Sequence, residues 1–342
     1  MKQAVVLGLS GGVDSAVSAA LLQKTYTVHG LYLDIGLGDQ ARADAEAVAR
    51  QLGISFSVQD IRSELETHVC APFAAAYQIG KTPIPCAVCN PMVKFPALLK
   101  KAAELGADWV ATGHYANLTH MPDGRVFLRQ GKTRNDQAYL LARLPEEMLA
   151  HILFPLGDYE KPQVRALAES LGLSVAAKPD SMDICFVPDG NYASWMQRRG
   201  PVPPPGFFVD EAGNILGRHK GIHHYTLGQR RGLHIAMGYR VFVSKIDPET
   251  NQITLSEGSG LLATQVFCQT PNWIGMAPPE APIHVAVKLR HTKQTLPARL
   301  TQQDDIIHLA LETPARAPTP GQMAVFYEED RILGSAWIAS SK

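Results

Sequence analysis

Apolar and polar positions change period along the chain. Residues 4–9 (AVVLGL), 28–35 (VHGLYLDI), 54–61 (ISFSVQDI) and 108–114 (DWVATGH) are short runs rich in β-branched and aromatic residues, and they read as strands. Between them, residues 15–22, 40–52 and 95–105 repeat alanine and leucine at helical spacing. The second and third of these helices end at Gly53 and Gly106, the residue type that closes a helix in left-handed conformation. Strand and helix alternation predicts an α/β fold with a doubly wound parallel sheet, with ligands bound at the strand C-termini. The pattern changes near residue 200. GPVPPPG (200–206) is too proline-rich for helix or central strand and reads as a linker. Beyond it, YRVFVSKI, QITLS, IHVAVKLRH, IIHLAL and MAVFYEE alternate at strand period between turn residues. These predict a small β-rich central domain and a C-terminal β-barrel, and divide the chain at 1–200, 201–265 and 266–342.

The length, 342 residues, suits two or three domains with cores of their own. With 46% hydrophobic and 19% charged residues, wholesale disorder is excluded. Lys+Arg and Asp+Glu are both 32, so there is no basic coat over the whole chain. Residues 190–300, however, carry 12 basic and 6 acidic side chains, net +6, which marks the place to look for a polyanion. Arg198-Arg199, Arg218-His219-Lys220 and Arg230-Arg231 cluster there with Trp195 and Tyr225 interleaved, the composition of an RNA-backbone surface. No run approaches the ~18 apolar residues of a membrane span. The first residues read as a buried strand and not as a secretion signal. Five cysteines are too few for a disulfide scaffold, so a cytoplasmic location is expected and the cysteines are read for chemistry.

Gly8-Leu9-Ser10-Gly11-Gly12-Val13-Asp14-Ser15 lies between the first strand and the first helix. Adjacent glycines let successive N–H groups converge on an anion, and the helix start adds partial positive charge. Ser10 and Ser15 add hydroxyls, and Asp14 suits either a helix-start acceptor or a ligand for a magnesium ion bridging phosphates. There is no Gly-Lys-Ser/Thr, so this is not a Walker loop. Cys86 and Cys89 form a Cys-x-x-Cys in TPIPCAVCN (82–90), and Cys185 stands in DSMDICF (180–186). Cys89, near a helix start, would be favoured as thiolate. By spacing alone these three cysteines suit metal binding, sulfur chemistry or inert packing. Cys70 and Cys268 sit in apolar segments and read as packing residues.

SGGVDS in this position resembles the PP-loop of the ATP pyrophosphatases, an adenine nucleotide alpha hydrolase-like domain. Followed in order by TPIPCAVCNPMVKF, ATGHYAN, DQAYLL, DSMDICF, YTLGQRRGL and PGQMAVFY, it makes essentially the whole chain resemble the tRNA-specific 2-thiouridylases (the bacterial MnmA type). The resemblance implies three domains, use of ATP and Mg²⁺, and conversion of the wobble uridine of tRNA to 2-thiouridine. It implies that Cys89 is the nucleophile, that Cys185 carries a persulfide, and that the two can pair as a disulfide. It assigns Gly8, Leu9, Ser10, Gly11, Gly12, Val13, Asp14, Ser15, Leu33 and Gly113 to ATP. It assigns Ile84, Pro85, Cys86, His114, Asn135, Asp136, Gln137, Arg290, His291 and Gln322 to tRNA. An upstream persulfide donor or relay protein is implied as a partner. Ile84 stands where asparagine is common in these proteins, and His291 where tyrosine is common.

The chemistry asks for these residues. Adenylation makes the uridine O2 a leaving group, and a persulfide then supplies a strong sulfur nucleophile. An alternative keeps the same thiolation but makes Cys86, Cys89 and Cys185 ligands of a [4Fe-4S] cluster with one open iron. An amidating ligase on the same loop, and an RNA-binding protein that only holds nucleotide, are the rival classes. Neither gives Cys89 and Cys185 a role.

Overall fold

The computed structural model describes residues 2–131, 133–180 and 184–342. Its first sheet is parallel, in the order β3-β2-β1-β4-β7, built from β1 (Ala4–Gly8), β2 (Thr27–Asp34), β3 (Ser55–Asp60), β4 (Trp109–Ala111) and β7 (Ile152–Leu153). Val5, Val6 and Leu7 of β1 are fully buried, as a central strand between two helical layers requires. Helices α1 (Val13–Leu22) and α2 (Gln40–Leu52) connect β1 to β2 and β2 to β3. Gly53 ends α2 at φ +65° and Gly106 ends α6 (Phe95–Leu105) at φ +61°, the expected left-handed caps. From β1 the chain builds outward through β2 and β3, then returns to place β4 on the other side of β1. The crevice of a doubly wound sheet lies at that reversal.

Between β3 and β4 runs a helical arm: α3 (Arg62–Leu65), α4 (Ala71–Gln78) and α5 (Pro85–Cys89), with α6 continuing from α5. A π-turn at Asn90–Lys94 joins α5 to α6, directly after Cys89. One-turn π insertions are frequent at functional sites. Beyond β4 come the hairpin strands β5 (Ala116–His120) and β6 (Val126–Gln130), the short helices α7 (Ala138–Leu141) and α8 (Glu146–Leu149), and then α9 (Lys161–Ser170) and α10 (Tyr192–Arg199).

The middle of the chain forms a four-stranded sheet, β10-β11-β8-β9, from β8 (Gly206–Val209), β9 (Ile215–His219), β10 (Phe242–Asp247) and β11 (Gln252–Ser256). The last part supplies β12 (Leu262–Trp273), β13 (Ile283–Lys288), β14 (Leu296–Gln303), β15 (Ile306–Arg316), β16 (Met323–Glu328) and β17 (Arg331–Ser341). They pair in the order β12-β15-β14-β13-β16-β17, and β17 returns to β12, closing a six-stranded barrel. The sequence pattern missed one feature. The polar segment after β4 is the hairpin β5–β6, and it pairs with β17, lengthening the barrel sheet from the N-terminal part of the chain. A single apolar core runs through that junction and contains Leu128, Tyr139, Ile274, Met323, Val325 and Tyr327, with the Tyr139 hydroxyl donating to the Met323 carbonyl at 2.9 Å. Among the described residues, no helix is long and apolar enough to cross a membrane.

Candidate active site

The loop from Gly8 to Ser15 leaves the C-terminal end of β1 and enters α1 at the sheet's reversal point. Gly11 has φ +73°, and a Cβ there would lie 2.3 Å from the Ala41 carbonyl oxygen of α2. Only glycine fits. Gly113, past the end of β4, also approaches closely: a Cβ would come within 3.0 Å of the Asp14 and Ser15 backbone. Ser15 is buried and stitches the loop. Its hydroxyl donates to the Gly12 carbonyl at 3.0 Å and accepts from the Ser10 amide at 3.2 Å. No side chain caps α1, so the first N–H groups of the helix keep the unsatisfied character on which anion binding depends.

Side chains that the sequence reading did not single out surround this loop. The Asp14 carboxylate accepts from Lys161 Nζ at 2.8 and 2.7 Å and from the Tyr115 hydroxyl at 2.7 Å. Lys161 also meets Asp180 at 2.8 Å, and Asp180 meets Arg165 at 2.6 Å. Lys178 donates to the Gly11 carbonyl at 2.9 Å and to Asp44 at 2.6 Å, and that bond holds the Asp44 carboxyl below the usual range. Burial, then the bond to Asp14, pushes the Tyr115 phenol well up, so it is a donor at any physiological pH. Lys161 is separated from Asp14 by 147 residues and Lys178 from Gly11 by 167, so no local pattern flags them.

The cysteines form a second cluster. All five are free thiols here, with Cys86 and Cys185 exposed, Cys89 half-buried, and Cys70 and Cys268 buried. Cys86, Cys89, Cys185 and Lys94 act on one another electrostatically. Cys89, at the end of α5, does not gain the thiolate character expected of a helix start. Burial pushes its thiol up, and the Lys94 charge only partly offsets this. Cys185 keeps an accessible surface, but the protein around it pushes its thiol up to about 11. Burial also drives Cys70 and Cys268 to about 12. Leu33 at the end of β2, Val88, Cys89 and Ile184 pack into one apolar cluster with Phe73, Phe186 and Trp195, so the ATP-assigned strand end and both cysteine segments share a wall. Ser181, Met182 and Asp183 of the Cys185 motif lie outside the described residues. Among the described residues, no three His, Cys, Asp or Glu side chains gather as ligands, so Cys86, Cys89 and Cys185 do not form a cluster-holding set in this structure.

His114 stands beside Lys94. Its Nε2 lies 3.5 Å from Lys94 Nζ and its Nδ1 2.7 Å from the Thr112 hydroxyl. Burial, with Lys94 adding to it, holds its pKa well below the ordinary value, so the ring is neutral. The other tRNA-assigned residues fall in two places. Gln322 donates from Nε2 to the Thr82 carbonyl at 2.8 Å, and the Thr82 amide donates to Pro320 at 3.2 Å, which fixes the start of the loop holding Ile84, Pro85 and Cys86. His291 donates to the Asp136 carbonyl at 3.0 Å and stacks on Tyr139, centroids 5.5 Å apart, so the 135–137 loop and the Arg290-His291 turn form one surface. Asp136 Oδ1 accepts the Gly131 and Ala138 amides, and Gln137 Oε1 accepts the Tyr115 amide, so these two side chains shape the loop itself. Arg290 is exposed and lines a groove of about 440 Å³ with Lys293 and Arg316. The interleaved aromatics of the basic region are not available for stacking on bases, because Trp195 and Tyr225 are core residues. Arg230 and Arg231 are exposed.

Family models match the chain in three consecutive parts. One described as a tRNA methyl transferase HUP domain matches residues 3–189, a tRNA methyl transferase PRC-barrel domain matches 194–257, and an aminomethyltransferase beta-barrel domain matches 263–338. The tRNA-specific 2-thiouridylase MnmA of Lachnoclostridium phytofermentans is 41% identical over 352 residues, covering 98% of this chain and 99% of that protein. The protein of the same name from Desulfitobacterium hafniense is 40% identical, with 98% of each chain covered. That of Clostridioides difficile is 39% identical, covering 100% of this chain and 99% of that one.

Proposed function

The chain belongs to the tRNA-specific 2-thiouridylase family, and on that premise we propose that it converts the wobble uridine of tRNA to 2-thiouridine at the expense of ATP. The observation that carries the reading is the apolar wall that Leu33, at the C-terminal end of the strand paired with β1, shares with the segments of Cys89 and Cys185. It lets one bound uridine meet first a phosphate and then a sulfur. Residues 1–200 perform the chemistry, and 201–265 and 266–342 hold the tRNA with the basic residues of that region.

ATP binds along Gly8–Ser15, with Leu33 and Gly113 bounding the nucleotide; Asp14 would hold the magnesium ion, which would neutralise charge on the phosphates. The uridine O2 attacks the α-phosphorus and pyrophosphate leaves. A persulfide on Cys185, loaded by an upstream donor or relay protein, attacks C2 through its terminal sulfur and expels AMP. Cys89 then attacks the Cys185 sulfur, breaking the S–S bond. The thiolated tRNA is released and a Cys89–Cys185 disulfide remains, which a cellular dithiol reduces. Lys94, beside both thiols, supplies the positive charge that each thiolate needs in a buried setting. Reduced free cysteines suit work in the cytosol. No step is routed through an iron–sulfur cluster, because the three thiols do not gather as its ligands.

Thiolation by anaerobically purified, iron-free protein given a persulfide donor tests this. Wild type should turn over. Cys185→Ser should accept no sulfur, and Cys89→Ser should accept it but not turn over. Cys86→Ser should keep partial activity. Turnover only after iron reconstitution, with all three variants equally inactive, would replace the persulfide route with the cluster route.

A further inference from the structure

We propose that Lys161 is a catalytic residue of the adenylation step: it exchanges its ion pair with Asp14 for the β- and γ-phosphates of MgATP and holds the pyrophosphate as it departs. The proposal rests on the adenylation reading above and adds a residue to it. Among the described residues three cations, Lys161, Arg165 and Lys178, stand at or next to the loop, and their bonding separates them. Arg165 is committed to architecture, since its guanidinium donates to the Ala176 and Lys178 carbonyls at 3.2 and 3.1 Å and to Asp180 at 2.6 Å. Lys178 is committed to the loop through the Gly11 carbonyl and Asp44. Among the described residues, Lys161 Nζ makes no backbone bond. Its partners are carboxylates, Asp14 and Asp180.

Lys161 is the first residue of α9, followed by Pro162. The start of that helix is pinned by a reciprocal bond pair in which Glu160 caps the Gln163 amide and Gln163 caps the Glu160 amide. The helix packs against α1. The lysine is therefore delivered from a rigid base to the first turn of the helix whose uncapped N–H groups face the nucleotide. Its side chain is only 16% exposed, so it is not a solvated surface charge.

Charge balance sets the exchange. If Asp14 held the magnesium ion of MgATP, Lys161 would lose the partner it grips through both carboxylate oxygens, at 2.8 and 2.7 Å. Asp180 remains, but shared with Arg165. The nearest uncommitted anion is then the triphosphate arriving with the metal. In the step itself the uridine O2 lone pair forms the bond to the α-phosphorus. The bond from that phosphorus to the β-bridging oxygen breaks, and its electron pair stays on the pyrophosphate. The N3 proton passes to solvent as the imidate forms. Negative charge grows on the oxygen leaving with the β-phosphate, where a desolvated ammonium is most effective.

Titration calorimetry with magnesium pyrophosphate and, separately, with AMP tests this without tRNA. Lys161→Met is expected to weaken pyrophosphate binding by about tenfold to a hundredfold, the range for a charge-assisted hydrogen bond, with AMP binding unchanged. Lys161→Arg should retain most of the affinity. With tRNA present, Lys161→Met should lower kcat for pyrophosphate release while tRNA affinity holds. Unchanged pyrophosphate affinity, or equal weakening of AMP and pyrophosphate, would make Lys161 only a structural partner of Asp14 and overturn the proposal. If Lys161→Met does not fold, Lys161→Gln gives the same comparison. Failure of wild type to thiolate tRNA would instead count against the function and leave the pyrophosphate result standing.

Discussion

Two adjacent glycines in the nucleotide loop should fail for different reasons, and the difference tests how the loop is built. Gly11 sits at φ +73°, where a side chain costs about 1–2 kcal/mol from backbone sterics alone. Its Cβ would also stand 2.3 Å from the Ala41 carbonyl and 3.1 Å from the Ala45 amide of α2. Ordinary contact needs about 1 Å more, so the start of α2 has to move, at a further cost of roughly 1–3 kcal/mol typical of forced overpacking. Gly11→Ala should therefore destabilise the N-terminal unit by about 2–5 kcal/mol. Gly12 is different. Its φ is −104°, and a Cβ meets only the Ser10 hydroxyl at 3.5 Å. Gly12→Ala should cost about 1 kcal/mol or less, the scale of an N-cap change. Yet its methyl group sits at the N-cap of α1, where a phosphate oxygen must approach the N–H groups. Calorimetric melting and MgATP titration on both variants separate the effects. Gly11→Ala should melt early and bind poorly. Gly12→Ala should melt near wild type and still lose MgATP. A Gly11→Ala protein as stable as wild type would refute the close-approach argument, and wild-type MgATP affinity in Gly12→Ala would refute the anion-cradle argument.

Three further outcomes follow from the charges. Cys185, with its thiol pushed up to about 11, should be alkylated by iodoacetamide slowly near neutrality and progressively faster up to that pH. A rate that levels off below pH 9 would contradict the burial argument. His223 is fully buried with no hydrogen-bond partner at either ring nitrogen among the described residues, and its pKa is lowered to about 4 by burial first and then by His224 and His219. Because the folded value lies below the unfolded one, its stabilisation is complete above about pH 6.5 and is lost as pH falls toward 4, at most about 3 kcal/mol. His223→Phe should flatten acid denaturation of the central unit over that window, and an unchanged acid limb would refute the assignment. Affinity for tRNA should fall linearly in log salt, and Arg230→Glu with Arg231→Glu should reduce the slope by about 2 if both neutralise phosphates.

Much of the parallel layer was legible because its signals are local. An uninterrupted apolar strand, a glycine–serine turn and a helix lie within 22 residues, and each alone constrains the backbone. Gly53 and Gly106 were equally readable, since a left-handed cap needs only its own helix. The hairpin β5–β6 was not. Its strands, ANLTH and VFLRQ, are half polar, and what orders them is pairing with β17, some 200 residues away. The chemistry around the loop escaped for the same reason, since Lys161 and Tyr115 reach Asp14, and Lys178 reaches Gly11, only when the sheet closes. The helix-start argument for Cys89 failed on magnitude. A dipole acting on a thiol one turn inside a short helix is weaker than the cost of burying its charge. Trp195 and Tyr225 were misread because an aromatic between arginines looks the same in sequence whether its ring faces RNA or the core.

The residue that ties the three parts of the chain together carries no signal of chemistry. Thr82 opens the TPIPC loop. Its hydroxyl bonds to the Thr226 hydroxyl of the central unit at 3.0 Å, its amide to Pro320, and its carbonyl to Gln322 of the barrel. Gly321 sits against the same residue, with a Cβ position 3.0 Å from the Thr82 carbonyl oxygen and φ +91°, so the barrel turn approaches as closely as glycine allows. A loop pinned at one end by two other units does not adjust independently of them. Tilting the barrel or the central sheet moves Thr82, and with it the single turn that places Cys86 and Cys89. Gln322 thus has a structural reason to lie near the reaction even without touching a base. The central sheet and the barrel thus set the position of the segment that carries Cys86 and Cys89, and on the proposed reaction this couples the seating of the tRNA to the placement of Cys89.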